Sequence, residues 1–142
     1  IMVRSACEKI GDACLLLGIV SPNEIQNVYH HADLVVMPSD FEEPFGMVAI
    51  EAMAAGVPVM VAKKGGLVEF IEDRKTGMFI RQPDDPLAFS DQLNEVLNND
   101  RLLTEVPQNA RQQVENCFTW EIVAKRTEEA FASVMNESKT RP

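Results

Sequence analysis

Short, solid apolar runs alternate with segments of helical period, and that alternation restricts the possible folds more than any other feature of the chain. Asp33-Leu-Val-Val-Met-Pro38 and Val57 to Ala62 are two such runs, Cys14 to Gly18 is a third, and Met78 to Ile80 a brief fourth. A strand that is apolar throughout needs cover on both faces, which is the condition of strands in parallel sheets. Between the runs, Ile25, Val28, Tyr29 and Ala32 recur at helical spacing behind Ser21-Pro22-Asn23-Glu24, a capping-box pattern with proline at the first helical position. The expected fold is therefore an α/β domain with a doubly wound, Rossmann-like parallel sheet. From Asp85 onward the strands stop. Phe89, Leu93, Val96 and Leu97 mark one helix. Leu103, Val106, Ala110 and Val114 mark a second, expected to break at Pro107, and Trp120 to Val134 a third, with Thr119 as its cap. This forms a helical C-terminal tail, whose Trp120 and Phe131 are expected to pack against the sheet. The last residues, Glu137 to Pro142, are expected to fray.

A chain of 142 residues makes one domain, here residues 1–142, with 46% hydrophobic and 25% charged side chains. Its net charge of −9 argues against a nucleic-acid partner, which would require a basic face, and none is visible in the sequence. Cys7, Cys14 and Cys117 are odd in number and lack CxxC spacing, so a reduced, cytoplasmic thiol set is expected. No apolar run reaches the ~18 residues of a membrane-spanning helix, and no signal peptide is visible. The chain starts without Met, and a fragment of a longer protein is expected.

The chemistry concentrates in Glu43-Pro-Phe-Gly-Met-Val-Ala-Ile-Glu51. Pro44 holds Glu43 extended, so a helix can begin only near Gly46, and Gly56 suits its end. Within Met47 to Ala55, Glu51 is the one polar side chain. Such a helix is buried, and a carboxylate inside it needs a partner. No basic residue lies within a helical turn of it. The N–H groups at a helix start have no intrahelical acceptors and lie at the positive end of the dipole, so they can hold phosphate. Glu51 lies ~7.5 Å further along the axis, at a distance that fits the sugar of a nucleoside whose diphosphate sits at the helix start. There its carboxylate could accept two vicinal hydroxyls. Glu43 would meet whatever hangs from the far phosphate. The residues leave a plainer reading open: a helix-entry glycine, a solvated Glu43, and a Glu51 that meets a backbone N–H or a buried lysine.

The stretch ADLVVMPSDFEEPFGMVAIEAMAAG (Ala32 to Gly56), followed by PVMVAKKGGLVEFI, resembles the family-4 retaining glycosyltransferases of the GT-B fold. It contains their Glu-x7-Glu in the form E-P-F-G-x-x-x-x-E-A, then G-x-P-V and a Gly-Gly-x-x-Glu loop. The Thr76-Gly77-Met-Phe-Ile turn and the Phe118-Thr119-Trp120 helix start are similar as well, so the likeness runs from about Ile10 to Phe131. It implies the nucleotide-sugar-binding half of such an enzyme, with a UDP-, GDP- or ADP-sugar as donor. Glu51 would hold the ribose hydroxyls, and Glu43 would contact the donor sugar as an orienting or catalytic group. The backbone of Phe45, Gly46, Met47 and Val48 would face sugar and diphosphate, and Gly65 and Gly66 would line the cleft. The resemblance implies no cofactor or metal, since an enzyme of the GT-B fold needs no divalent ion, and the lack of an Asp-x-Asp motif agrees. The helix start would take over part of a metal's charge neutralisation.

The family's Arg-x4-Lys pair is not matched in context. Arg4 and Lys9 have the spacing but lie in a helix-like segment and read as solvated surface. The acceptor-binding domain and the first part of this one are expected to be missing, leaving a fragment inactive by itself. In family members the last helix reaches back to that other domain, so an exposed apolar patch on it is also foreseen. Two alternatives keep the fold: a sugar-nucleotide epimerase or phosphorylase, and a domain that has lost catalysis. His30 and His31 read as helix-end residues, the seven Met as core filling, and Lys63 and Lys64 as surface charge near the cleft mouth.

Overall fold

A computed structural model describes the backbone of residues 2–140 and the side chains of residues 4–136. Helix α1 (Met2–Ile10) leads through a 3-10 turn (Gly11–Ala13) to an extended segment and then to α2 (Ile25–His30). Strand β1 (Val35–Met37), α3 (Met47–Ala54), β2 (Val59–Val61), α4 (Leu67–Phe70) and β3 (Met78–Phe79) follow in strict alternation. The chain then continues through α5 (Pro86–Leu97), α6 (Asp100–Cys117) and α7 (Trp120–Thr140). The sheet has the order β1-β2-β3 and is parallel, with Val35 opposite Val59 and Met60 opposite Met78.

Period-two alternation sorts the strand residues between two cores. Val35, Met37, Val59 and Val61 pack with Tyr29, Ile50, Met53, Leu67 and Phe70 on one face. Val36, Met60, Met78 and Ile80 pack with Leu93, Val96, Leu102 and Val106 on the other. Helices on both faces are what the solid apolar runs require, and every residue of β2 is buried. Four of the methionines expected in the core are there: Met53, Met60 and Met78 are fully buried and Met37 packs against the core that holds Met53, whereas Met47 and Met135 are exposed.

The structure departs from the sequence expectations in several places. Cys14 to Gly18 is not a strand: Leu15 is 80% exposed and Leu17 55%. Apolar composition gives strand propensity, but a strand also needs a neighbour's N–H and C=O groups, and none of the three strands pairs with this segment. Cys7 and Cys14 are joined as a disulfide, contrary to the reduced set expected; Cys117 is free. The 3-10 turn doubles the chain back and brings their Cα atoms to 5.3 Å, a local closure that no CxxC rule anticipates. Ser21 does not cap a helix that begins at Pro22. Its hydroxyl donates to Glu24 at 2.9 Å, and α2 starts three residues later than proline at the first helical position implies.

Helix α6 runs through Pro107 without a break. It hands Leu102 and Val106 to one core and Ala110 and Val114 to the other, and burial on both sides of the proline outweighs the lost hydrogen bond. Trp120 and Phe131 do not pack against the sheet. They are 81% and 68% exposed on α7, with Val134 beside them. The exposed patch foreseen from the family likeness is therefore the arrangement observed. Backbone helix continues to Thr140 where fraying was expected from Glu137, and residues 141–142 lie outside the described part. No helix among the described residues is long and apolar enough to cross a membrane.

Candidate functional site

The site is assembled where β1 and β2 end. From Met37 the chain enters the loop Pro38–Phe45, and from Ala62 it enters Lys63–Gly66, and the two loops lie against each other. Gly66 N–H donates to Glu43 O at 2.7 Å, Gly65 N–H to Glu42 Oε2 at 2.6 Å, and Lys64 Nζ to Asp40 O at 2.7 Å. Glycine is required at both positions. A Cβ at Gly65 would meet the carbonyl oxygen of Glu43, and one at Gly66 would lie 2.5 Å from Pro44 O. The glycine pair predicted to line a cleft thus clasps the glutamate loop. Both amides are spent on that clasp and are not presented to a ligand.

Gly46 ends the loop as the N-cap of α3, at φ +93° and ψ +51°. That left-handed conformation suits glycine, and a Cβ there would collide with the Leu67 side chain. The sequence expectation of a glycine-led helix start is met. No side chain caps α3, and the N–H groups of Phe45, Gly46, Met47 and Val48 have no acceptor in the described structure. The first intrahelical donors are Ala49 and Ile50, both to Gly46 O. Four consecutive amides at the positive end of a helix have the geometry and polarity that suit an anion. Phe45 fixes the approach to it. Its ring packs on Phe70 and Phe118, with centroids 5.8 and 5.9 Å away, and its other side is open. Met47 and Val48 are likewise about half exposed, as a surface facing a ligand would be.

Glu43 is half-buried, and among the described residues its carboxylate has no hydrogen-bond partner. Glu51, inside α3, is also half-buried, but one of its oxygens is taken. The Tyr29 hydroxyl donates to Oε2 at 2.9 Å, while Oε1 accepts nothing from a described residue. The partner of Glu51 is thus a phenol, neither the backbone N–H nor the buried lysine of the plainer reading. Tyr29 is buried, and burial first, then the hydrogen bond and the charge of Glu51, push its phenol up to about 12. The pair opens onto a cavity of about 350 Å³ lined also by Ile25, Gln26, His30 and Arg111. Tyr29 is the residue that sequence reasoning missed: its helical spacing marked it as core, and nothing in spacing shows which way a phenol hydroxyl points.

The remaining positions have modest surroundings. Lys63 lies over the Phe79 ring, 5.5 Å from its centroid. Arg4 and Lys9 are exposed on α1, as expected. His31 Nδ1 donates to Asn27 O at the end of α2. Among the described residues no cluster of His, Cys, Asp and Glu is arranged to hold a metal ion.

Residues 4–113 match the family described as Glycosyl transferases group 1. The chain belongs to that family. A lipopolysaccharide 1,2-N-acetylglucosaminetransferase of Salmonella typhimurium is 41% identical over 127 residues, which cover 89% of this chain and 33% of the relative. A D-inositol 3-phosphate glycosyltransferase of Corynebacterium diphtheriae is 36% identical over 110 residues, or 78% of this chain and 25% of that one. Among solved structures, HepE from Anabaena in complex with UDP and glucose gives a TM-score of 0.79 at 26% identity, over 88% of this chain and 33% of its own. Sucrose-phosphate synthase from Thermosynechococcus elongatus gives 0.82 at 29%, over 95% and 34%. The chain thus spans about a third or less of the length of these relatives.

Proposed function

We propose that this glycosyl transferase group 1 chain is the donor-binding part of a retaining glycosyltransferase that moves a sugar from a nucleotide-diphospho-sugar to a hydroxyl acceptor. The observation that carries the reading is the row of acceptor-free amides from Phe45 to Val48, flanked by the unpartnered carboxylate of Glu43 and the half-free carboxylate of Glu51. The diphosphate sits on the amides, Oε1 of Glu51 accepts ribose hydroxyls, and Glu43 orients the donor sugar. HepE, whose crystals hold UDP and UDP-glucose, supports a nucleotide donor of this kind.

In the retaining reaction that the resemblance implies, the diphosphate departs on the face by which the acceptor arrives, and its oxygen takes the acceptor's proton. The protein's part is to position the reactants and stabilise the growing charge on the leaving oxygens. The helix start does this without a divalent ion, so chelator should leave donor binding unchanged. The family match is to transferases, and nothing in the site favours an epimerase or phosphorylase over them.

Calorimetric titration of the 142-residue chain with UDP, GDP and ADP tests the reading. Glu51→Gln should weaken binding of the preferred nucleotide by about 1.5–3 kcal/mol, the cost of losing a hydrogen bond to a charged group. An affinity equal to that of the unaltered chain removes Glu51 from the ribose.

A further inference from the structure

Glu51 reaches the cavity on a flexible stem, and a carboxylate that must accept two neighbouring hydroxyls has to be held in one orientation. Resting on the donor-binding reading above, we propose that Tyr29 is the positioning residue for ribose recognition, fixing the Glu51 carboxylate through Oε2 so that Oε1 faces the nucleoside. Three observations support this. The Tyr29 side chain is buried within the core cluster, which holds its hydroxyl in place. It donates to one oxygen of Glu51, at 2.9 Å, and leaves the other free. The pair is not sealed into the core but opens onto the cavity between α2, α3 and α6, where a sugar edge can enter.

A phenol needing an acceptor only to satisfy its own burial would be served by a neutral amide or a carbonyl at less desolvation cost than by a carboxylate. The Tyr29 phenol is protonated, and so a hydrogen-bond donor, throughout the neutral range. A carboxylate has room for about four hydrogen bonds, so one spent on Tyr29 leaves enough for a vicinal diol.

The test compares, in the unaltered chain and its variants, the affinity for whichever of UDP, GDP and ADP binds most tightly with that for its 2′-deoxy form, and with that for inorganic pyrophosphate. The unaltered chain should prefer the ribonucleotide by roughly tenfold or more. Tyr29→Phe should shrink that preference severalfold while leaving pyrophosphate affinity unchanged, because the amide row is untouched. If Glu51→Gln loses the preference and Tyr29→Phe keeps all of it, the positioning role is overturned and the donor reading stands. If Glu51→Gln keeps the preference, the ribose role of Glu51 falls and that of Tyr29 with it. Equal losses for ribonucleotide and pyrophosphate in Tyr29→Phe would show a merely structural residue and overturn the inference.

Should Tyr29→Phe fail to fold, 3-fluorotyrosine in the unaltered chain gives a second readout, because Tyr29 is the only tyrosine. Its ¹⁹F signal should move with the ribonucleotide and much less with the 2′-deoxy form. Equal shifts with both would overturn the proposal.

Discussion

Glu51 has a divided environment: one oxygen bonds inside the fold and the other accepts nothing from a described residue. The need for a partner was legible in the sequence, since a single carboxylate among aliphatic side chains must be compensated. The partner itself was not, because Tyr29 lies twenty-two positions upstream on another helix and only the tertiary fold brings the two together. This pairing has a direct optical signature. With one tyrosine in the chain, phenolate absorbance titrates Tyr29 alone. Its midpoint should lie near 12, against 10.0 for a free tyrosine, and should fall part of the way back in Glu51→Gln, because burial is the larger cause and survives the substitution. The raised value also has a sign for stability: the neutral phenol contributes fully below pH 10 and its contribution is lost as pH climbs towards 12. A midpoint near 10 in the unaltered chain would mean that Tyr29 is neither buried nor bonded to Glu51 as described.

At the level of elements, β1, α3, β2 and β3 follow the sequence reading closely, since each has its own periodicity and its own end signals. Gly46 marked the start of α3, and Gly56 lies just past its end. The failures share a cause. Cys14 to Gly18 has the composition of a strand but no neighbour to complete a ladder, and Pro107 breaks isolated helices but not one pinned in two cores. The clasp between the two loops was also hidden, because Gly65 and Gly66 signal close approach without naming what approaches. Gly66 offers a clean substitution there. Its φ of −62° suits any residue, so in the folded state an added methyl group acts by collision with Pro44 O and the Phe45 Cα, against a small gain from a less flexible unfolded chain. Gly66→Ala should cost about 1–3 kcal/mol in chemical denaturation. It should also weaken nucleotide binding, since the loop that moves carries Glu43 and leads into the amide row. A Gly66→Ala chain with the original stability and affinity would show that the clasp positions nothing.

Across the whole molecule, both cores are built from residues between Ile25 and Phe118, and α7 leaves Trp120, Phe131 and Val134 exposed beyond them. Sequence periodicity found the apolar stripe of α7 but not its lack of cover, because a stripe reads alike whether or not anything packs on it. Surface charge ties α5 to the region around β3 through Glu95, which bonds both Arg74 and Arg81. The Arg74 hydrogen bond, followed by that of Arg81, holds the Glu95 carboxyl below its ordinary 4.5. A lowered carboxyl supports the fold above its unfolded value and ceases to do so as pH falls through the folded one. Melting temperature should therefore decline below about pH 4.5 less steeply in Glu95→Gln than in the unaltered chain. Identical slopes would show that the two arginines contribute nothing there.

The central claim places a nucleoside diphosphate on the start of α3, and amide chemical-shift mapping reads that placement directly. With the preferred nucleotide added, the Phe45, Gly46, Met47 and Val48 amides should show the largest shifts, with smaller ones at Glu51 and Tyr29. Shifts that leave those four amides unmoved, or gather elsewhere, would contradict the account.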